Sequence, residues 1–140
     1  MRCSAVLFAT LVLAACGTTP ATRRDSQAAS PAVVEFLLAS AATDFHTHRP
    51  PGPVRFRDVR IGHVLTPSGE VQYMLCGQIL PAQEAGNAEW TTFVTIKTSG
   101  YEQYIGETSY CQRPSVIWDR EGDLSTSLQA RLDSLDRAGS

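Results

Sequence analysis

VQYMLCGQIL, residues 71–80, is the most apolar strand-like run in the chain, with apolar side chains at both odd and even positions. A strand that can bury both faces belongs at the centre of a sheet. Immediately upstream, Thr66-Pro67-Ser68-Gly69-Glu70 is a turn. Before that turn Val54-Arg55-Phe56-Arg57 alternates, and Val59 and Ile61 continue the apolar positions one residue out of step. A β-bulge around Arg57-Asp58 reconciles the two halves as one strand. Downstream, residues 81–89 form a polar loop containing Gly86-Asn87. Residues 90–98 (WTTFVTIKT) alternate and are rich in β-branched side chains, as strands are. Ser99-Gly100 then turns the chain into a last strand, residues 101–105.

Helices flank these strands. Ser30 supplies a capping hydroxyl, Pro31 suits the first helical position and Glu35 the first turns. Val33, Val34, Leu37, Leu38 and Ala41 recur at helical spacing as one buried stripe. The pattern fades near Asp44, and Pro50-Pro51-Gly52-Pro53 ends anything regular. A C-terminal helix begins at Asp123 as cap, with Leu124, Leu128, Leu132 and Leu135 on one face. The expected fold is α+β: an N-terminal helix, a four-stranded antiparallel meander and a C-terminal helix, without internal repeats, in a single small domain over residues 31–140.

The chain has 140 residues, 43% of them hydrophobic and 19% charged, with a formal net charge of −2. That suits one modest core, and it gives no case for nucleic acid as a partner. Much of the apolar content lies at the start: Arg2, then an almost unbroken apolar run over residues 5–15 (AVLFATLVLAA). Such a run reaches only about half of a ~30 Å hydrocarbon core, so it reads as a secretory leader rather than a spanning helix. At its end, Leu13-Ala14-Ala15-Cys16 resembles the lipobox of bacterial lipoproteins. The resemblance implies a diacylglycerol thioether on Cys16, cleavage before it, and often acylation of the new amine. Each buried methylene then contributes roughly 0.8 kcal/mol to membrane attachment. Residues 1–15 would be the signal peptide and residues 16–30 a lipidated, flexible tether with a reach of about 20 Å. Gly17, where an Asp would resemble inner-membrane retention, implies the outer membrane, with the domain facing the periplasm.

With Cys3 lost in the leader and Cys16 lipidated, Cys76 and Cys111 remain. Two thiols in an exported domain make one structural disulfide. The alternative, a redox or nucleophilic cysteine, lacks the close spacing of a C-x-x-C pair and any base placed beside it by the sequence. The candidate metal ligands are His46, His48 and His63: alternating histidines on an extended segment point the same way, and His63 would be the third ligand. Set against this, solvated histidines at a helix end explain the pair equally simply. Arg55, Arg57 and Arg60, with Arg49 before them, crowd one stretch. Arg55 and Arg57 would share a strand face able to hold phosphate or an acidic partner, or would simply lie on a solvated outer sheet face paired with Asp58 and Glu residues of the next strand. Tyr101, Tyr104, Tyr110 and Trp118 could form an aromatic surface or plain edge packing. No G-x-S-x-G, paired carboxylates or glycine-rich phosphate turn points to catalysis, and nothing calls for a cofactor.

Three features together resemble a small family of uncharacterised proteobacterial exported proteins. A short helix ends before Val54-Arg55-Phe56-Arg57-Asp58-Val59, Cys76-Gly77 ends an apolar strand, and an aromatic strand is followed by a late cysteine in Tyr110-Cys111. The likeness spans residues 31–112, although Gln78-Ile79-Leu80-Pro81 departs from it. It implies the fold and the disulfide but no activity. The functional expectation is a membrane-anchored periplasmic lipoprotein, without enzymatic activity or cofactor, serving as a protein-interaction or envelope and secretion accessory with an envelope protein as partner. The alternative expectation is an inhibitor of lysozyme or a protease, using residues 81–89 as its loop.

Overall fold

A computed structural model of the chain describes residues 28–48, 52–81, 89–106 and 109–140. Cys16 and its leader, residues 17–27 of the expected tether, Arg49, and residues 82–88 of the loop lie outside them. The elements run α1 (Pro31–His48), β1 (Val54–Leu65), β2 (Val71–Pro81), β3 (Thr91–Lys97), β4 (Tyr101–Ile105), a 3₁₀ turn (Tyr110–Gln112), β5 (Ile117–Trp118) and α2 (Ser125–Ala138). The strands form one sheet in the order β4-β3-β2-β1-β5, and every neighbouring pair is antiparallel. The class is α+β and β2 is the central strand.

Three expectations need correction. Helix α2 has Leu124 rather than Asp123 at its cap position; Asp123 lies one residue further out and accepts the Ser125 N–H. The sheet has five strands rather than four, because Ile117 and Trp118 pair with His63 and Gly62. A two-residue strand carries no periodicity to read. Helix α1 also continues past Asp44 to His48, since Ala42 and Phe45 extend the buried stripe of Leu37, Leu38 and Ala41 by another turn.

The bulge is where the alternation of β1 breaks. The register with β2 shifts between Arg57 and Arg60, and Asp58 takes the left-handed conformation (φ 54°). Val54, Phe56, Val59 and Ile61 therefore all face the helices. They build the main core with Leu37, Leu38, Ala41, Ala42 and Phe45 of α1, Leu75, Ile79 and Phe93 of the sheet, and Leu124, Leu128 and Leu132 at α2. Phe45, Phe56 and Phe93 meet at ring-centroid distances of 5.0–5.9 Å, in tilted and edge-on geometries that favour their quadrupoles.

The opposite sheet face is covered by chain rather than by a helix. Residues 109–118 lie across it as a strap, with Tyr110, Cys111, Val116 and Trp118 packed on Val64, Met74, Cys76, Val94 and Ile96. A disulfide from Cys76 to Cys111 (Cα–Cα 6.0 Å) fastens the strap to the central strand. Beyond β5, Asp119 N–H donates to Ile61 O (2.9 Å) and Leu124 N–H to Val59 O (2.7 Å), while Val59 N–H donates to Ser125 Oγ (3.2 Å). These bonds occupy backbone groups on the outer edge of β1 that no strand reaches.

Candidate functional site

The strap-side face of the sheet carries the arginines. Before the bulge, Arg55 and Arg57 alternate away from the core, opposite Leu80 and Gln78; after it, Arg60 stands opposite Cys76. The extra residue at the bulge keeps all three on one face; continued plain alternation would have turned Arg60 into the core. All three are exposed. Arg57 lies over Trp90, its Cζ 4.2 Å from the ring centroid, and its Nε donates to Gln78 Oε1 at 2.6 Å. Arg60 lies over Trp118 at 5.0 Å. On the strap, Arg113 covers Tyr110 at 4.6 Å, and Tyr110 stacks on Tyr104 of β4 (5.6 Å, 21° between planes). Three guanidiniums, those of Arg57, Arg60 and Arg113, are thus braced over aromatic rings on the strap side of the sheet.

The acidic groups near this face are few. Asp58 Oδ2 stands 3.6 Å from Arg57 Nε. Glu102 on β4 accepts a hydrogen bond from Tyr104 Oη (2.8 Å), which holds the phenol above the usual tyrosine range. Among the described residues, no carboxylate pairs with Arg55 or Arg60. The expected pairing of the arginines with acidic residues therefore holds only at Asp58.

A second group lies on the helix side at the other end of β1. His63 is 2% exposed, and among the described residues neither ring nitrogen has a hydrogen-bond partner. Its Nδ1 is 3.5 Å from Oδ1 of Asp119, whose other oxygen accepts the Ala29 N–H at 2.7 Å. Tyr73 stands opposite His63, with ring centroids 5.8 Å apart. A cleft of about 510 Å³ borders the pair, lined also by Ala28, Ala29, Ile117, Trp118, Arg120 and Glu121. The histidine–carboxylate pairing is one that orients a base, but the lining supplies no hydroxyl or thiol for it to activate. Asp119 also ties the approach to α1 to the end of β5, which is a structural task.

The three histidines are not brought together. His46 and His48 lie on helical rather than extended backbone, and two positions apart on a helix point in widely different directions. His46 Nδ1 pairs with Asp136 of α2 (2.8 Å) and His48 Nδ1 with Asp44 (3.3 Å), while His63 is buried in the sheet. Among the described residues no group of three or more His, Cys, Asp or Glu side chains could hold a metal ion. The aromatic set also divides. Tyr104 and Tyr110 stack, Trp118 braces Arg60, and Tyr101 reaches α1, its hydroxyl donating to Asp44 Oδ1 (3.4 Å). Trp90, Gln78 and Arg113 join the arginine face through pairings across strands that spacing along the chain does not announce. Asp119 lies in irregular chain and carried no signal. No helix among the described residues is long and apolar enough to cross a membrane. The chain matches no known family model, no curated protein and no solved structure.

Proposed function

We propose that the chain is a lipoprotein anchored through Cys16 in the outer membrane, and that its domain faces the periplasm as a non-enzymatic protein-interaction module, an accessory to envelope assembly or secretion. The anchor rests on the likeness of Leu13-Ala14-Ala15-Cys16 to a lipobox. Export is supported by the disulfide at Cys76 and Cys111, a bond that persists in oxidising compartments and is rare in the cytosol. The observation that carries the interaction role is the exposed arginine face braced on Trp90, Trp118 and Tyr110. Arg, Trp and Tyr are the residue types that dominate protein interfaces.

Membrane fractionation of the expressed precursor tests the anchor. Cys16→Ala should leave the precursor uncut or release the protein from the membrane fraction, and unchanged membrane attachment of a processed chain would overturn the reading. Capture of the full-length protein from solubilised envelopes should recover envelope-machinery proteins. Turnover of ester, peptide or glycan substrates by the purified chain would overturn the non-enzymatic role.

A further inference from the structure

We propose that Arg55, Arg57 and Arg60, braced by Trp90 and Trp118, form a docking strip for an extended acidic segment of a partner protein whose carboxylates fall on alternate residues. The proposal rests on reading the domain as an interaction module and names the chemistry of its partner.

Four observations carry it. The bulge at Asp58 keeps the three arginines on one face of a single strand. Same-face positions on a strand repeat at about 6.8 Å, which is also the carboxylate spacing of an extended peptide acidic at every second residue. The strip is largely unpaired: among the described residues only Asp58 forms an ion pair with it, beside Arg57, while Asp133 of α2 shares a cleft with Arg55 without pairing to it. The guanidiniums of Arg57 and Arg60 are held over rings, and Arg57 is further fixed by Gln78, so less side-chain freedom is lost when a ligand arrives. With Nε of Arg57 engaged by Gln78, its terminal nitrogens remain to grip a carboxylate. A lipid headgroup layer has no fixed spacing and would make no use of a regular row.

The test uses full-length protein in detergent micelles and two fluorescein-labelled peptides of identical composition. One alternates Glu and Thr; the other carries its glutamates in one block. The alternating peptide should bind roughly tenfold tighter than the blocked one, with affinity falling as salt is raised. Arg55→Ala with Arg57→Ala should remove most of that binding. Arg55→Lys with Arg57→Lys keeps the charge, disturbs packing least, and should erase the preference between the peptides while retaining weak binding. Circular dichroism and thiol titration of each variant establish that fold and disulfide are intact. Equal affinity for the two peptides, unchanged binding by the lysine variant, or binding only to phosphatidylglycerol vesicles would overturn the strip. Such a failure alongside intact Cys16-dependent anchoring and recovery of envelope proteins leaves the broader reading standing, so the two can be told apart.

Discussion

Gly77 sits on the central strand with its missing side chain facing the core. A Cβ there would lie 2.8 Å from both Cε1 of Phe93 and Cγ2 of Val59, closer than such atoms approach. Phe93 is fully buried and locked between Phe45 and Phe56, so it has nowhere to retreat. Gly77→Ala should therefore cost about 1–3 kcal/mol through overpacking, read as a lower urea midpoint at unchanged slope. Asp58 shows the opposite use of a small polar residue. It adopts a positive φ that Asp tolerates better than bulkier residues, and that one turn of backbone sets which way Arg60 points. His63 is a costly residue of the sheet, since its two nitrogens lie buried without hydrogen bonds among the described residues, with Asp119 Oδ1 3.5 Å from Nδ1.

Among the elements, α2 depends most visibly on a local polar contact. Asp123 Oδ1 accepts hydrogen bonds from the hydroxyl and the backbone N–H of Ser125 (N–H 2.9 Å), at the helix end where N–H groups lack partners. The Ser125 hydroxyl first, then the backbone N–H, holds the Asp123 carboxyl below the usual aspartate range, against a smaller opposing effect of burial. The sign follows from a lowered folded-state value. The contribution is complete above the unfolded-state value near ~4 and is lost as pH falls through the folded value. Urea midpoints measured from about pH 6 down to pH ~2.5 should decline less steeply in Asp123→Asn, which keeps an acceptor but cannot titrate. The same slope in both proteins would show that Asp123 does not couple α2 to pH. Elsewhere α2 meets α1 through polar contacts at the surface, Arg131 with Glu35 and His46 with Asp136. Exposed pairs of this kind contribute little, typically ~0–1 kcal/mol, so the helix pair is held mainly by Leu128 and Leu132.

At the scale of the whole molecule, the sheet has two different covers. Helices bury one face, while the other relies on a short strap that one disulfide secures at a separation of 35 residues. In the chain-entropy account a bridge of that span contributes about 4 kcal/mol. The Cys76→Ala/Cys111→Ala protein should lose stability of that order in chemical denaturation, and it should bind a hydrophobic dye as Met74, Val94 and Ile96 lose their cover. Much of this architecture was legible in the chain. Residues 71–80 announce a central strand, the phase break between Arg57 and Val59 announces the bulge, and Leu124, Leu128 and Leu132 announce a helix, because burial on one side imposes a period on local sequence. The pairing of Cys76 with Cys111 followed by elimination from four cysteines. Illegible were β5, the last turn of α1, the approach of Asp119 to His63, and the separation of His46 and His48 from His63. The bracing of Arg57 by Trp90 and of Arg60 by Trp118 was hidden for the same reason: each joins residues distant in sequence, and no local period encodes which of them meet. By itself the sequence determined the α+β class, the central strand, the bulge in β1, and the disulfide. Only the tertiary structure decided that three arginines stand in one exposed row with two of them, Arg57 and Arg60, braced on rings, since that depends on the register between strands and the path of the strap across them.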